Sequence, residues 1–183
     1  MTDLNSLYAR NRGFASCFHY AQVPSERDLS MVIVTCVDPR VFPDQFMRLE
    51  QGEAFVIRKP GGRVTADVKR DVAVLAALAR ERSGGKGAPF ELVIIQHTDC
   101  AMSTLADPEH RRQLSEATGL PDGQLERLAI HDHADAIRED IRRLRQSGIV
   151  PGDLIVSGHL YEIETGELKQ IVERVPLEDS EGR

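Results

Sequence analysis

Leu29-Ser30-Met31-Val32-Ile33-Val34-Thr35-Cys36-Val37-Asp38-Pro39-Arg40 is a short, β-branched apolar run that stops at a thiol, a carboxylate and a guanidinium. Four to six apolar residues without polar alternation suit a strand covered on both faces. The same pattern returns in Leu92-Val93-Ile94-Ile95-Gln96-His97-Thr98-Asp99-Cys100, where a second run stops at an imidazole and a thiol. Ala54-Phe55-Val56-Ile57 and Leu154-Ile155-Val156 supply two further strands. Tyr161-Glu162-Ile163 and residues 168–172 flank Thr165-Gly166, a pair that reads as a hairpin turn.

Helical spacing fills the intervals. Thr65 can cap a helix over residues 66–82, with Val68, Val72, Leu75, Ala76 and Ala79 as its buried stripe and Ser83-Gly84-Gly85 as its stop. Ala134, Ile137, Ile141 and Leu144 recur at three- and four-residue steps over residues 132–147, which Gly148 and Pro151 end. Residues 4–20 read as a helix through Leu4, Leu7, Tyr8, Asn11 and Phe14, followed by a polar break at 24–28. Residues 102–129 read as short helices with a loop around 119–123. Strands separated by helices predict an α/β chain: a central, mainly parallel sheet with flanking helices on both faces, closed by an antiparallel C-terminal hairpin. Ligands of such sheets bind beyond the carboxyl ends of the strands.

A chain of 183 residues, 41% apolar and 28% charged, has ordinary globular composition. It is expected to form one domain over residues 1–175, with an acidic, disordered tail at 176–183. The 23 basic and 29 acidic residues leave a net charge of −6 and no Lys/Arg-rich run, which argues against a nucleic-acid partner. No apolar segment approaches the roughly 20 residues of a membrane helix. The polar start Met1-Thr2-Asp3-Leu4-Asn5 lacks the order of a secretory signal, so the expected compartment is the cytoplasm. Three cysteines, an odd number, fit reduced thiols, metal ligands or nucleophiles better than disulfide partners.

Cys36, His97 and Cys100 therefore stand out. If their strands are neighbours, two thiolates and one imidazole meet at one sheet edge, a three-ligand set that leaves the fourth position of a catalytic Zn2+ open. Soft sulfur favours zinc over magnesium or calcium. Asp38 and Arg40 follow Cys36 at two and four residues, and on an extended segment all three share a side. A carboxylate beside a guanidinium stays ionised and fixed in direction. Asp38 could then ligate the metal or accept a hydrogen bond from a metal-bound hydroxide, two roles that exclude each other.

The remaining polar groups carry weaker signals. Cys17 reads as a packed thiol inside the first helix. His131 and His133, two apart, do not share a helix face and read as surface residues. His159, at a strand end, could line the cleft and carry a proton, although a structural role suits it better. His19 and His110 show no pattern. Lys59-Pro60-Gly61-Gly62-Arg63 lacks phosphate-loop spacing, and its glycines read as places where backbone approaches the metal pocket closely.

With these residues assembled, the chain resembles the β-class carbonic anhydrases, in their small, archaeal-like subgroup, over roughly residues 6–174. The resemblance rests on Cys36-x-Asp38-x-Arg40 and His97-x-x-Cys100, with Gly52-Glu53-Ala54-Phe55-Val56-Ile57-Arg58, Gly61-Gly62, Tyr161 and Thr165-Gly166 in support. It implies zinc held by Cys36, His97 and Cys100. Asp38 would take the fourth position in a closed form and pair with Arg40 when water or hydroxide occupies it. It also implies a four-stranded, largely parallel sheet and a homodimer or larger homo-oligomer. The implied activity is reversible hydration of carbon dioxide to bicarbonate. The same ligands also serve hydrolases of carbonyl sulfide and carbon disulfide, and a non-catalytic zinc protein is a further alternative. Ala101 stands where the family usually has Gly, Lys59-Pro60 where it has Asn-Ala, and Val37 and Pro39 are unusual between Cys36 and Arg40.

Overall fold

The structure is a computed structural model that describes residues 3–19, 30–85 and 89–178. In chain order it comprises α1 (Leu4–Cys17), β1 (Met31–Cys36), α2 (Pro43–Phe46), β2 (Phe55–Lys59), α3 (Ala66–Arg82), β3 (Glu91–His97), α4 (Pro108–Thr118), α5 (Asp122–Glu126), α6 (His133–Arg145), β4 (Ile155–Tyr161) and β5 (Leu168–Pro176). Two 3-10 turns, Pro60–Gly62 and Ala101–Ala106, follow β2 and β3.

The strands form one sheet in the order β2-β1-β3-β4-β5. The first four are parallel and β5 runs antiparallel to β4. This is the expected mainly parallel sheet with its antiparallel C-terminal edge, with five strands where the resemblance implied four, because β5 adds that edge. Val34 lies level with Ile57 of β2 and with Ile94 of β3. The strand order reverses at β1, because the chain steps from β1 to β2 on one side and then crosses over β1 to reach β3. The carboxyl ends of β1 and β3 thus flank the topological switch point.

Handedness then decides which face each helix covers. The crossovers from β2 to β3 and from β3 to β4 run the same way, so right-handed connections lay α3 and α6 on one face. There Val68, Val72, Ile137, Ile141 and Leu144 pack on Val32, Val34, Leu92, Ile94 and Val156. Thr65 accepts a hydrogen bond from the Val68 amide, and Asp132 accepts one from Asp135, so both helices start where capping chemistry places them. The β1-to-β2 connection runs the other way and carries only the four-residue α2 to the opposite face. That face holds Ile33, Val93 and Ile95 under Phe46, Met47, Leu49, Tyr161 and Leu168. The expectation of flanking helices on both faces is met on the second face by a single helical turn.

Three further expectations change. Cys17 is exposed and no residue of α1 is buried, so the helix is present but its thiol is not packed. Ile155-Val156 and Tyr161 belong to one strand, β4, which Leu154 immediately precedes, rather than to a strand and a separate hairpin arm. Continuity is possible because residue 158 is glycine: a Cβ there would lie 2.3 Å from Ile137 Cγ2 of α6. Finally, residues 176–178 of the expected tail join the folded body. Pro176 ends β5, Leu177 is 1% exposed, and its amide donates to the Leu154 carbonyl at 2.7 Å. Residues 179–183, residue 20 of the first helix and the 24–28 break lie outside the described residues.

Candidate metal centre

β1 ends at Cys36 and β3 at His97, and pairing of Thr35 with Ile95 sets those ends side by side. Gly62 wedges between them. Its φ is +63°, and a Cβ would meet the Ile95 carbonyl oxygen at 3.0 Å and the Cys36 nitrogen at 3.3 Å. The glycine pair does let backbone approach closely, and a side chain at residue 62 would be crowded and strained by the positive φ. Beyond His97, the Thr98 amide donates to the Tyr161 carbonyl at 3.0 Å, and the Thr98 hydroxyl accepts from the Ile163 amide at 3.1 Å. Asp99 then adopts φ +54°, which turns Cys100 back toward Cys36.

The ligand atoms of Cys36, His97 and Cys100 lie within 4.8 Å of one another, and all three residues are buried. The two sulfurs are 3.9 Å apart, far beyond the roughly 2.05 Å of a disulfide. Two sulfurs each about 2.3 Å from a tetrahedral zinc would stand about 3.8 Å apart, which matches. Nδ1 of His97 is 2.8 Å from the Thr98 carbonyl oxygen and donates to it, which leaves the lone pair on Nε2. That Nε2 is buried without a hydrogen-bond partner, a costly arrangement unless a cation takes the lone pair. A zinc ion fits this donor set.

The thiols already share their charge. Donation from Cys100 is the largest influence holding the Cys36 thiol below its ordinary value, and acceptance by Cys36 pushes the Cys100 thiol up. A divalent cation would take the place of the proton in such a contact.

Asp38 and Arg40 meet in a turn rather than on the extended segment expected, with the Val41 amide donating to the Asp38 carbonyl at 3.0 Å. Oδ1 accepts from the Arg40 amide at 2.9 Å and from Arg40 Nε at 3.0 Å, while Oδ2 accepts from Nη2 at 2.8 Å. These bonds to Arg40 lower the Asp38 carboxyl to about 2, so it is ionised across the physiological range. Oδ2 also stands 4.0 Å from the unpartnered His97 Nε2. The carboxylate therefore borders the donor trio while Arg40 holds it.

Several contacts around the site carry no signal in the sequence. Arg40 Nη1 donates to Asp99 Oδ2 at 2.6 Å, bridging the two ligand loops. Arg58 donates to the carbonyls of Cys36 (3.0 Å) and Asp38 (2.7 Å) and lies 4.5 Å over the Phe42 ring. Behind the sheet end, Arg63 and Asp140 form a buried pair that Gln96 joins at 3.5 Å. His133 is half-buried rather than on the surface, with Nδ1 3.3 Å from Gln96 Oε1, and burial lowers its pKa. His131 is exposed beside Glu126, as expected of a surface residue. His159 Nε2 lies 3.1 Å from the Ser157 hydroxyl, and no hydrogen bond joins it to the trio or to Asp38. Ala101 starts a 3-10 turn at a position where φ is not positive, so glycine is not needed there.

Comparison with known proteins agrees with this geometry. A family model described as carbonic anhydrase matches residues 31–120, a span that holds the whole candidate centre. β-Carbonic anhydrase 1 of Mycobacterium tuberculosis is 29% identical over 172 residues, covering 93% of this chain and 99% of that protein. A carbon disulfide hydrolase of Acidianus is 28% identical over 171 residues, covering 81% of this chain and 79% of the hydrolase. The crystal structure of a carbonic anhydrase from Streptococcus mutans superimposes with a TM-score of 0.74 at 30% identity, covering 93% of this chain and 98% of the other. Sheet topology, donor trio and similarity along nearly the full length coincide, and the chain belongs to the β-class carbonic anhydrase family of enzymes.

Proposed function

We propose that this chain binds one zinc ion through Cys36, His97 and Cys100 and catalyses the reversible hydration of carbon dioxide to bicarbonate. The observation that carries the reading is the buried, unpartnered Nε2 of His97, which faces two sulfurs and stands 4.0 Å from an oriented Asp38 carboxylate. Bound zinc supplies Lewis acidity, lowering the pKa of a coordinated water from about 15.7 toward 7. The protein contributes orientation. Asp38 Oδ2, ionised and aimed by Arg40, accepts a hydrogen from the attacking water and so points an oxygen lone pair at the substrate carbon. Arg40 keeps the carboxylate off the donor trio, and Arg58 holds the carbonyls on either side of it.

A second reading, hydrolysis of carbon disulfide or carbonyl sulfide at the same centre, is favoured by the similarity to the Acidianus hydrolase. Metal analysis and both assays on one preparation decide between them. One zinc per chain with carbon dioxide hydration dominant supports the first reading. Sulfide release in large excess replaces it with the second. A metal-free protein lacking both activities removes both.

The assembly is a homodimer or larger. The α1 residues Leu7, Tyr8 and Phe14 are 46%, 55% and 51% exposed, and no residue of α1 is buried. A second copy would bury that apolar surface. The proposed compartment is the cytoplasm, which suits three free cysteines. Among the described residues no helix is long and apolar enough to cross a membrane.

A further inference from the structure

Arg40 is held from two sides, and only one of them is the aspartate two residues before it. Nε and Nη2 donate to Asp38, whereas Nη1 donates to Asp99 Oδ2 at 2.6 Å and Nη2 also to the Asp99 carbonyl at 2.9 Å. Asp99 lies 59 residues further on, between two of the proposed ligands. Its φ of +54° makes it one of two non-glycine residues with positive φ among the described residues. Aspartate tolerates that region better than most side chains, and glycine would tolerate it at no cost. What glycine could not supply is the carboxylate that meets the guanidinium.

The closed form that the resemblance implies takes Asp38 off Arg40 and onto the donor trio, whereas the proposed hydration step needs Asp38 back on Arg40. A guanidinium held by Asp38 alone would lose all its side-chain partners in the closed form and reorient into solvent, because the Arg40 side chain is 45% exposed. Held by Asp99 through both Nη atoms, it keeps two of its four side-chain hydrogen bonds and stays where Asp38 must return.

We propose that Asp99 is a positioning residue that anchors the Arg40 guanidinium independently of Asp38, so that Asp38 can leave and return to a fixed partner. The anchoring rests on hydrogen-bond geometry, and its catalytic consequence rests on the zinc-hydration reading above. Two measurements separate them. The first is rotation of the Arg40 guanidinium about Nε–Cζ, read from exchange between its Nη groups in nitrogen-15 spectra of the zinc-loaded protein. In Asp38→Ala the rotation should stay slow, because Asp99 still holds both Nη atoms. In Asp38→Ala/Asp99→Asn it should accelerate about 1.5-fold to fivefold, the range for losing an exposed charge pair. Equal rates in the single and double variants would overturn the anchoring. The second is turnover of Asp99→Asn, which keeps a residue suited to positive φ. Its kcat should fall about 1.5-fold to fivefold with zinc content unchanged and KM within twofold. Unchanged kcat would show that the anchor has no catalytic use. A wild-type protein without carbon dioxide hydration, but with the rotation result intact, would fail the zinc-hydration reading and leave the anchor standing.

Discussion

Arg63 and Asp140, 77 residues apart, form an ion pair with Nε 2.8 Å from Oδ2 while the two side chains are 3% and 0% exposed. Arg63 belongs to the loop after the glycine pair and Asp140 to the middle of α6. The pair therefore bolts the wall behind the sulfurs to the helix whose Ala136 packs against Cys36 and Cys100. The Arg63 guanidinium also donates to the Ala129 carbonyl, and Arg143 reaches Asp140 Oδ1 at 3.1 Å. Removing one partner strands a charge in the interior. Asp140→Ala should lower unfolding free energy by about 3–5 kcal/mol, read as a shift of the denaturant midpoint at unchanged slope. Replacing both residues with apolar ones of similar size should recover most of it, and a small effect of the single change would show that water relieves Arg63.

Zinc should stabilise the fold. Ligands that bind the native state alone raise stability by mass action, and thiolate–imidazole sites do so strongly. Chelation should lower the thermal midpoint, and re-addition of one equivalent of zinc should restore it. Cys36→Ser and His97→Ala should lose both the metal and the chelator response in calorimetry with metal analysis.

Asp38→Asn keeps the size of the side chain and removes its charge. Zinc content should be retained, while carbon dioxide hydration should fall about a hundredfold, the lower range for losing a positioned proton acceptor. Full turnover in the variant would contradict the role given to the carboxylate.

The same group sets an acid limit on the metal-free protein. Its folded pKa, lowered to about 2 chiefly by the bonds from Arg40, lies below its ordinary 3.8. A depressed carboxylate stabilises the fold fully above the unfolded value, and that stability is lost as pH falls through the folded value. Between pH 4 and pH 2 the chelated wild type should therefore lose stability faster than chelated Asp38→Asn. Parallel curves from urea titrations across that window would exclude the pair as a contributor.

Gly158 joins the sheet to α6, where an added Cβ would meet Ile137 Cγ2 at 2.3 Å. Gly158→Ala should cost about 1–3 kcal/mol through overpacking, seen as a lower thermal midpoint. Combining it with Ile137→Ala should cost less than the sum of the two single changes, because the second change vacates the contested space.

Local chemistry explains why so much was legible beforehand. Thr65 and Asp132 can cap only the helices that follow them, and the apolar periodicity of residues 66–82 and 133–145 fits one helix face. The runs ending at Cys36 and His97 can hardly be anything but buried strands. That a thiol–carboxylate–guanidinium series and an imidazole–thiol pair follow such runs is a property of neighbours along the chain. The contacts that complete the centre are not. Adjacency of β1 and β3 comes from the reversal of strand order, and Arg40 meets Asp99 only because of it. The Arg63–Asp140 pair needs α6 folded back onto the sheet, and the same folding back makes a glycine at 158 necessary. Exposure of Cys17 follows from where α1 lies, which its own helical pattern cannot specify. Hydrogen bonding within a turn or a cap is settled over a few residues, whereas pairings across 59 or 77 positions are chosen by the free energy of burying whole faces against one another.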